Sequence, residues 1–494
     1  MAMHFADTEN GRVQGVSGND PRITVFKGMP FAAPPVGKNR WRAPQPVENW
    51  EGIYRADRFR GRCPQERQSP FYYRNCGEPF EEADEDCLYL NVWTPAESPE
   101  EKLPVFLWIH GGANVTGWGH FPFVDGEGFA KRGVIFVSFN WRVNVFGWLT
   151  HPDLDAENER HVSGNYAVLD QIQALKWVRN NIAAFGGDPD NITVAGESAG
   201  GSSTMNLCCT PLTRGMFRHA SMQSGGGWDL FVSNSVPSLA QSEAATDLKK
   251  LFGVDSIAQA RELPAEELVR RSSRPEAAGA YIPSHVVDGW VFTKTNRRSC
   301  LEGEMHPVDY IIGYTGEETH MYDMSPDRQL FLDGVRAEYG GHAEEYLALC
   351  DFLRDDSSFT EHLRVRSAEM LKTGALAFAE TMERFGRPVY MYCFSHSLPG
   401  EDGGSFHSCE LWYQFETLNR SRRPFTGEDY QLAVTMADYW TAFCKTGDPN
   451  GGGRPEWSKY TRANPLVLHL DTPIEMRPFQ ITPRILFRKN WLCR

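Results

Sequence analysis

Nowhere in these 494 residues does an apolar run approach the roughly 20 residues a helix needs to cross a bilayer. That absence excludes a helical span and predicts no stable membrane insertion. The opening stretch, MAMHFADTENGR, lacks a basic region followed by an apolar one, so no secretory signal is legible. A cytoplasmic location is therefore expected, with secretion after signal removal as the alternative. Positive charge is also short: 50 Lys and Arg against 64 Asp and Glu leave a net charge of −14. This balance provides no electrostatic footprint for nucleic acid or an anionic membrane. It mildly favours neutral or cationic small molecules over polyanions. Cysteine is sparse and odd in number, 11 in all, which excludes a dense disulfide framework and suits a reducing compartment. The Cys208-Cys209 pair reads as packing, and no metal site is expected. Internal repeats and low-complexity linkers are absent too, and nothing fixes an oligomeric state.

What the chain does hold is strands alternating with helices. PVFLWIH from Pro104, VIFVSFNW from Val134 and ITVAG from Ile192 are nearly unbroken apolar runs, as in strands buried on both faces of a parallel sheet. Between the last two, Val168, Ile172, Leu175, Val178 and Ile182 recur at helical spacing, which predicts an amphipathic helix lying on that sheet. The first hundred residues, with short segments and Pro-rich turns, read as an antiparallel edge. Regions 226–305 and 320–385 read as helix-rich excursions capping the sheet. The whole is an α/β chain with a large, mostly parallel central sheet.

The densest chemical signal is FGGDPDNITVAGESAG, from Phe185 to Gly200. Its centre is G-x-S-x-G: Gly196, Glu197, Ser198, Ala199, Gly200. A short apolar strand precedes it and a small-residue, helix-compatible stretch follows. Strand, sharp turn and helix with Ser at the turn form a nucleophile elbow, which lifts the hydroxyl above the sheet. Upstream, His110-Gly111-Gly112-Ala113 ends a buried strand in small residues that leave backbone amides uncovered. The N–H groups of Gly112, Ala113 and Ala199 are the candidate oxyanion donors.

A nucleophilic serine needs a base and an acid further along the chain. Among 14 histidines, His407 lies in the Gly- and Ser-rich segment GGSFHSCEL after a strand-like run ending at Phe394. His285, His320 and His396 are the alternatives. For the acid, Glu317 and Glu318 follow the strand-like Val308–Gly313, and residue chemistry alone does not choose between them. Glu197 either organises water near the serine or fills the elbow's variable position.

Several long motifs together are similar to the type-B carboxylesterase family, the bacterial p-nitrobenzyl esterases in particular. They are EDCLYLNVWTP from Glu85, the elbow segment, FKGMPFAAPPVG near the start, NWRVNVFGW in the middle, and FCKTGDPN from Phe443. The likeness covers nearly all of the chain and implies one α/β-hydrolase domain spanning residues 1–494, with helical cap excursions. It implies a serine esterase for small to medium carboxylic esters, aryl or phenolic ones among them, that works without a cofactor. Carried over by motif, the family's acid falls on Glu318 and its base on His407, completing a triad with Ser198. Members of the family that serve as silent adhesion modules have lost such groups, whereas all three stand here. No apolar lid of the lipase kind is legible. The chain departs from the pattern at Thr319, where Gly is usual, and at Asn114, where an aromatic residue often follows the oxyanion turn. Cys63 and Cys87 match positions that secreted relatives join in a disulfide. Some of Trp118, Phe121, Trp141, Trp290, Trp412 and Phe415 are expected to line an apolar substrate gorge, and most of them to be core.

Overall fold

The apolar runs are strands of one eleven-stranded sheet. The computed structural model describes residues 2–68, 73, 77, 82–227, 236–237, 246–318, 327–400 and 404–494. Thr319, His320 and part of the loop before His407 lie outside the described residues.

In chain order the sheet's strands are Val16–Ser17 (β1), Thr24–Pro30 (β2), Tyr89–Thr94 (β3), Leu103–Ile109 (β4) and Ile135–Phe139 (β5). Then come Gly187–Glu197 (β6), His219–Gln223 (β7), Asp309–Thr315 (β8), Tyr390–Phe394 (β9), Leu466–Leu470 (β10) and Glu475–Pro478 (β11). Their spatial order is β11-β10-β9-β8-β7-β6-β4-β5-β3-β2-β1. From β5 to β10 every neighbouring pair is parallel. Both edges are antiparallel, through β5–β3–β2–β1 on one side and β10–β11 on the other. The early antiparallel edge is thus as expected, and strands Phe5–Thr8, Gly11–Gln14 and Ile53–Arg55 form a separate small sheet.

Side-chain periodicity explains how the layers meet. Helix α1, Tyr166–Asn181, buries Val168, Ile172, Leu175 and Val178, and Ile182 follows in a 3-10 turn. All of them join the core cluster with Leu107, Val137 and Val194 of the sheet. Burying each such side chain contributes about 2 kcal/mol. Helix α2, Ala199–Cys209, packs on β6 and β7 through small residues. The expected helical excursions include Leu248–Phe252, Ala265–Ser272 and the long helix α3, Asp356–Arg384. Among the described residues, no helix is long and apolar enough to cross a membrane. Cys63 and Cys87 are buried as free thiols. The adjacent Cys63 thiol and burial both push the Cys87 thiol up.

Parallel strands aim their C-terminal ends at one rim of the sheet. In such folds that rim is where ligands bind. The turns after β4, β6, β8 and β9 carry His110, Ser198, Glu318 and His407.

Candidate active site

Ser198 sits between β6 and α2 at φ +59, ψ −126, a region that side chains rarely occupy. Its N–H donates to the Gln223 carbonyl at 2.8 Å, and its carbonyl accepts from Ser202 N–H at 3.0 Å. Those bonds hold the strained turn against β7 and the first turn of α2. Gly200 must lack a side chain, because a Cβ there would stand 2.1 Å from the Ile109 carbonyl oxygen.

After β4 the chain turns through Gly112, Ala113 and Asn114 at φ +117, +54 and +64. The Gly112 carbonyl closes the turn by accepting from Val115 and Thr116 N–H at 3.0 and 2.9 Å. Among the described residues, the N–H groups of Gly112 and Ala113 donate to no protein acceptor. Ala199 opens α2, where first-turn amides have no intrahelical acceptor. Asn114 is tied into the turn by its side chain and its carbonyl. Its Nδ2 donates to the Pro283 carbonyl at 2.9 Å, and its carbonyl accepts from Asn144 N–H at 2.7 Å and Trp148 Nε1 at 3.0 Å. Beneath the turn His110 stacks on Trp141, ring centroids 4.8 Å apart. Burial pushes its pKa down to about 3, so it is a neutral prop.

Glu318 is 1% exposed. Its Oε1 accepts from Thr315 N–H and Ser224 Oγ, each at 2.7 Å, and its Oε2 accepts from Nδ1 of His407. Glu317 is exposed and instead accepts from Ser405 N–H at 3.1 Å. The structure therefore brings Glu318, not Glu317, to His407. The opposite edge of that imidazole, Nε2, lies 3.2 Å from Glu197 Oε1, which also accepts from Ser408 Oγ at 2.8 Å. Burial pushes the Glu197 carboxyl up to about 7, against the opposing pull of His407 and Ser408. Glu410, fully buried, is pushed up by burial and by Glu197 and Glu318.

Two of the alternative histidines, His396 and His285, are engaged elsewhere. His396 lies between Asp429, 2.9 Å from Nε2, and Asp471, 3.2 Å from Nδ1. His285 packs on Phe292 at 4.7 Å, and burial lowers its pKa to about 4. His320 lies outside the described residues.

A cleft of about 110 Å³ joins Ser198, His407, Glu197, Gly112 and Ala113 to the apolar walls Trp108, Phe121, Phe123 and Leu411. Of the six aromatic candidates Phe121 lines the cleft, in line with the expectation that some would and that most would be core. Trp118 stacks behind Phe121 at 3.7 Å, Trp412 sits edge-on to Phe123, and Trp141 and Phe415 are core. Trp290 lines a separate cavity beside Arg160. Trp108 was missed because a buried strand pattern does not say which ring reaches its C-terminal rim, and Phe123 because it stands in a turn whose packing no local pattern gives. Ser224 and Ser408 carry no local signal, since their bonds depend on strand order.

The model of the Carboxylesterase family matches residues 3–485. The chain is 32% identical over 492 residues to the para-nitrobenzyl esterase of Bacillus subtilis (strain 168), covering 96% of each. It is 30% identical to the fumonisin B1 esterase of Sphingopyxis macrogoltabida, covering 93% of this chain and 85% of that one. A solved PNB esterase superposes with a TM-score of 0.85 at 31% identity, with 100% of each chain covered. The carboxylesterase of Geobacillus stearothermophilus gives 0.81 at 32%, again over 100% of each chain.

Proposed function

The chain belongs to the carboxylesterase family and is a serine-hydrolase-type esterase of small and medium esters; from that premise we propose that Ser198, His407 and Glu318 form its catalytic triad. Ser198 Oγ attacks the ester carbonyl while Nε2 of His407 takes its proton. Glu318 holds the Nδ1–H tautomer and stabilises the imidazolium. The N–H groups of Gly112, Ala113 and Ala199 hold the tetrahedral oxyanion, each such donor contributing about 3 kcal/mol in comparable sites. His407 then protonates the departing alcohol, and water activated by the same ring releases the acid from the acyl-enzyme.

The single observation that carries this reading is the bond from His407 Nδ1 to a carboxylate fixed by two further donors, in a cleft that also holds Ser198. For the finer substrate class, the walls Trp108, Phe121 and Phe123 favour a flat aromatic group, so aryl and phenolic esters belong among the substrates. A p-nitrophenyl ester series from acetate to palmitate, run with wild type and Ser198→Ala, tests both levels. Turnover on short chains that disappears in the variant is expected. A long-chain optimum in emulsion, or turnover that survives without the hydroxyl, would contradict the proposal.

A further inference from the structure

His407 is flanked by carboxylates on both nitrogens, and the triad uses only one of them. Glu318 occupies Nδ1. Glu197 Oε1 stands 3.2 Å from Nε2, the edge that must exchange protons with Ser198 and with the leaving alcohol. A carboxylate in that place has two possible consequences. As an anion in a fixed orientation it balances the imidazolium formed in each half-reaction. As a neutral acid it contributes nothing to that charge.

Burial in a low-dielectric cleft pushes Glu197 toward the neutral form, and nearby Glu318 pushes the same way. Glu410, Tyr392 and Cys409 also face it, and none of them brings a positive charge. Two groups oppose this pressure: His407 and the hydroxyl of Ser408, which donates to Glu197 Oε1 at 2.8 Å. Ser408 follows the base directly and sits at φ +69, a left-handed conformation that is costly for a side chain and free for glycine. A strained serine whose hydroxyl is spent on Glu197 indicates a function for the hydroxyl itself.

We propose that Ser408 is a positioning residue: its hydroxyl holds Glu197, as the anion, against the Nε2 edge of His407, making Glu197 the substrate-side counter-charge of the reaction. This rests on His407 being the base. The effect runs through Glu197, so it has a pH signature that mere loop damage lacks. A donor to the ionised form lowers a carboxyl's proton affinity, and deleting it raises that affinity. The acid limb of kcat/KM therefore moves to higher pH when the hydroxyl is removed.

The experiment is a pH profile of kcat and KM on p-nitrophenyl acetate for wild type, Ser408→Gly and Ser408→Ala, each repeated in a Glu197→Gln background. Glycine adopts φ +69 freely, so Ser408→Gly removes the hydroxyl while relieving strain. The expected result is an acid limb raised by about half to one pH unit, the size of one typical lost hydrogen bond. That corresponds to a rate at pH 6.5 down roughly 3- to 10-fold, recovery by pH 8.5, and KM unchanged. With Gln at 197 the same substitutions should shift nothing. A uniform loss at all pH values, an unmoved acid limb, or a shift that persists with Gln at 197 would overturn the proposal. The premise is read separately: wild-type turnover that survives in His407→Ala would remove the base assignment, whatever Ser408 does.

Discussion

A Cβ placed on Gly200 would stand 2.1 Å from the carbonyl oxygen of Ile109, the last residue of the neighbouring parallel strand. The elbow and the oxyanion turn thus touch through backbone alone, and this contact sets the distance between the nucleophile and the amides facing it. Gly200→Ala should force strand and helix apart, destabilising the fold by roughly 1–3 kcal/mol or more. Urea midpoints would register the loss. Activity of the folded fraction should fall too, because the amides move off the oxyanion position.

The two adjacent acids separate cleanly. Glu318→Gln leaves shape intact and removes the charge facing Nδ1, so kcat should fall by about 10³–10⁴. Glu317→Gln should stay within an order of magnitude of wild type, since its exposed carboxylate accepts from a loop N–H rather than from His407. Equal losses from both would refute the assignment of the acid to one of them. Steady-state kinetics at pH 8 suffices.

How much of this was legible in the sequence follows the range of the interactions. The elbow, the oxyanion turn and the strand–helix alternation are written in adjacent residues, because backbone conformation and burial are local. The choice between Glu317 and Glu318 was not, until motif resemblance supplied it; in the fold, register aims one carboxylate inward and leaves its neighbour exposed. Which of the aromatic candidates reaches the cleft was hidden for the same reason. Trp118 and Phe121 look alike in sequence, yet one stacks behind the other. Ser224 reaches Glu318 only because β7 and β8 are neighbours, a fact of topology rather than of any motif.

Stability should fall on acidification. Burial depresses His110 to about 3 and His285 to about 4, below the ordinary 6.5 that the unfolded chain retains. The stabilisation is complete above pH 6.5 and is lost as pH falls toward those values, because only the unfolded state takes up the protons. At pH 5 each buried ring costs about 2 kcal/mol relative to neutral pH. Urea unfolding between pH 7.5 and 5 should show this slope, corresponding to uptake of about two protons from these rings. A pH-independent midpoint over that range would contradict it.

The wall of the cleft should set acyl size. Phe121→Leu opens space against Trp118 and should move the chain-length optimum toward longer acyl groups by several-fold in kcat/KM. Trp412→Ala, one layer behind the wall, should instead act chiefly on stability, costing about 3–5 kcal/mol. A chain-length series on both variants, with their unfolding midpoints, separates wall from support.

The central claim is that Ser198 forms the covalent intermediate. Intact-mass and peptide mass spectrometry after reaction with diethyl p-nitrophenyl phosphate tests it directly, because phosphorylated serine does not turn over quickly. One diethylphosphoryl group per chain is expected, with p-nitrophenol released in equal amount and the label on the peptide bearing Ser198. No label should form with Ser198→Ala. A label on another residue, or one that forms equally in the variant, would contradict the mechanism.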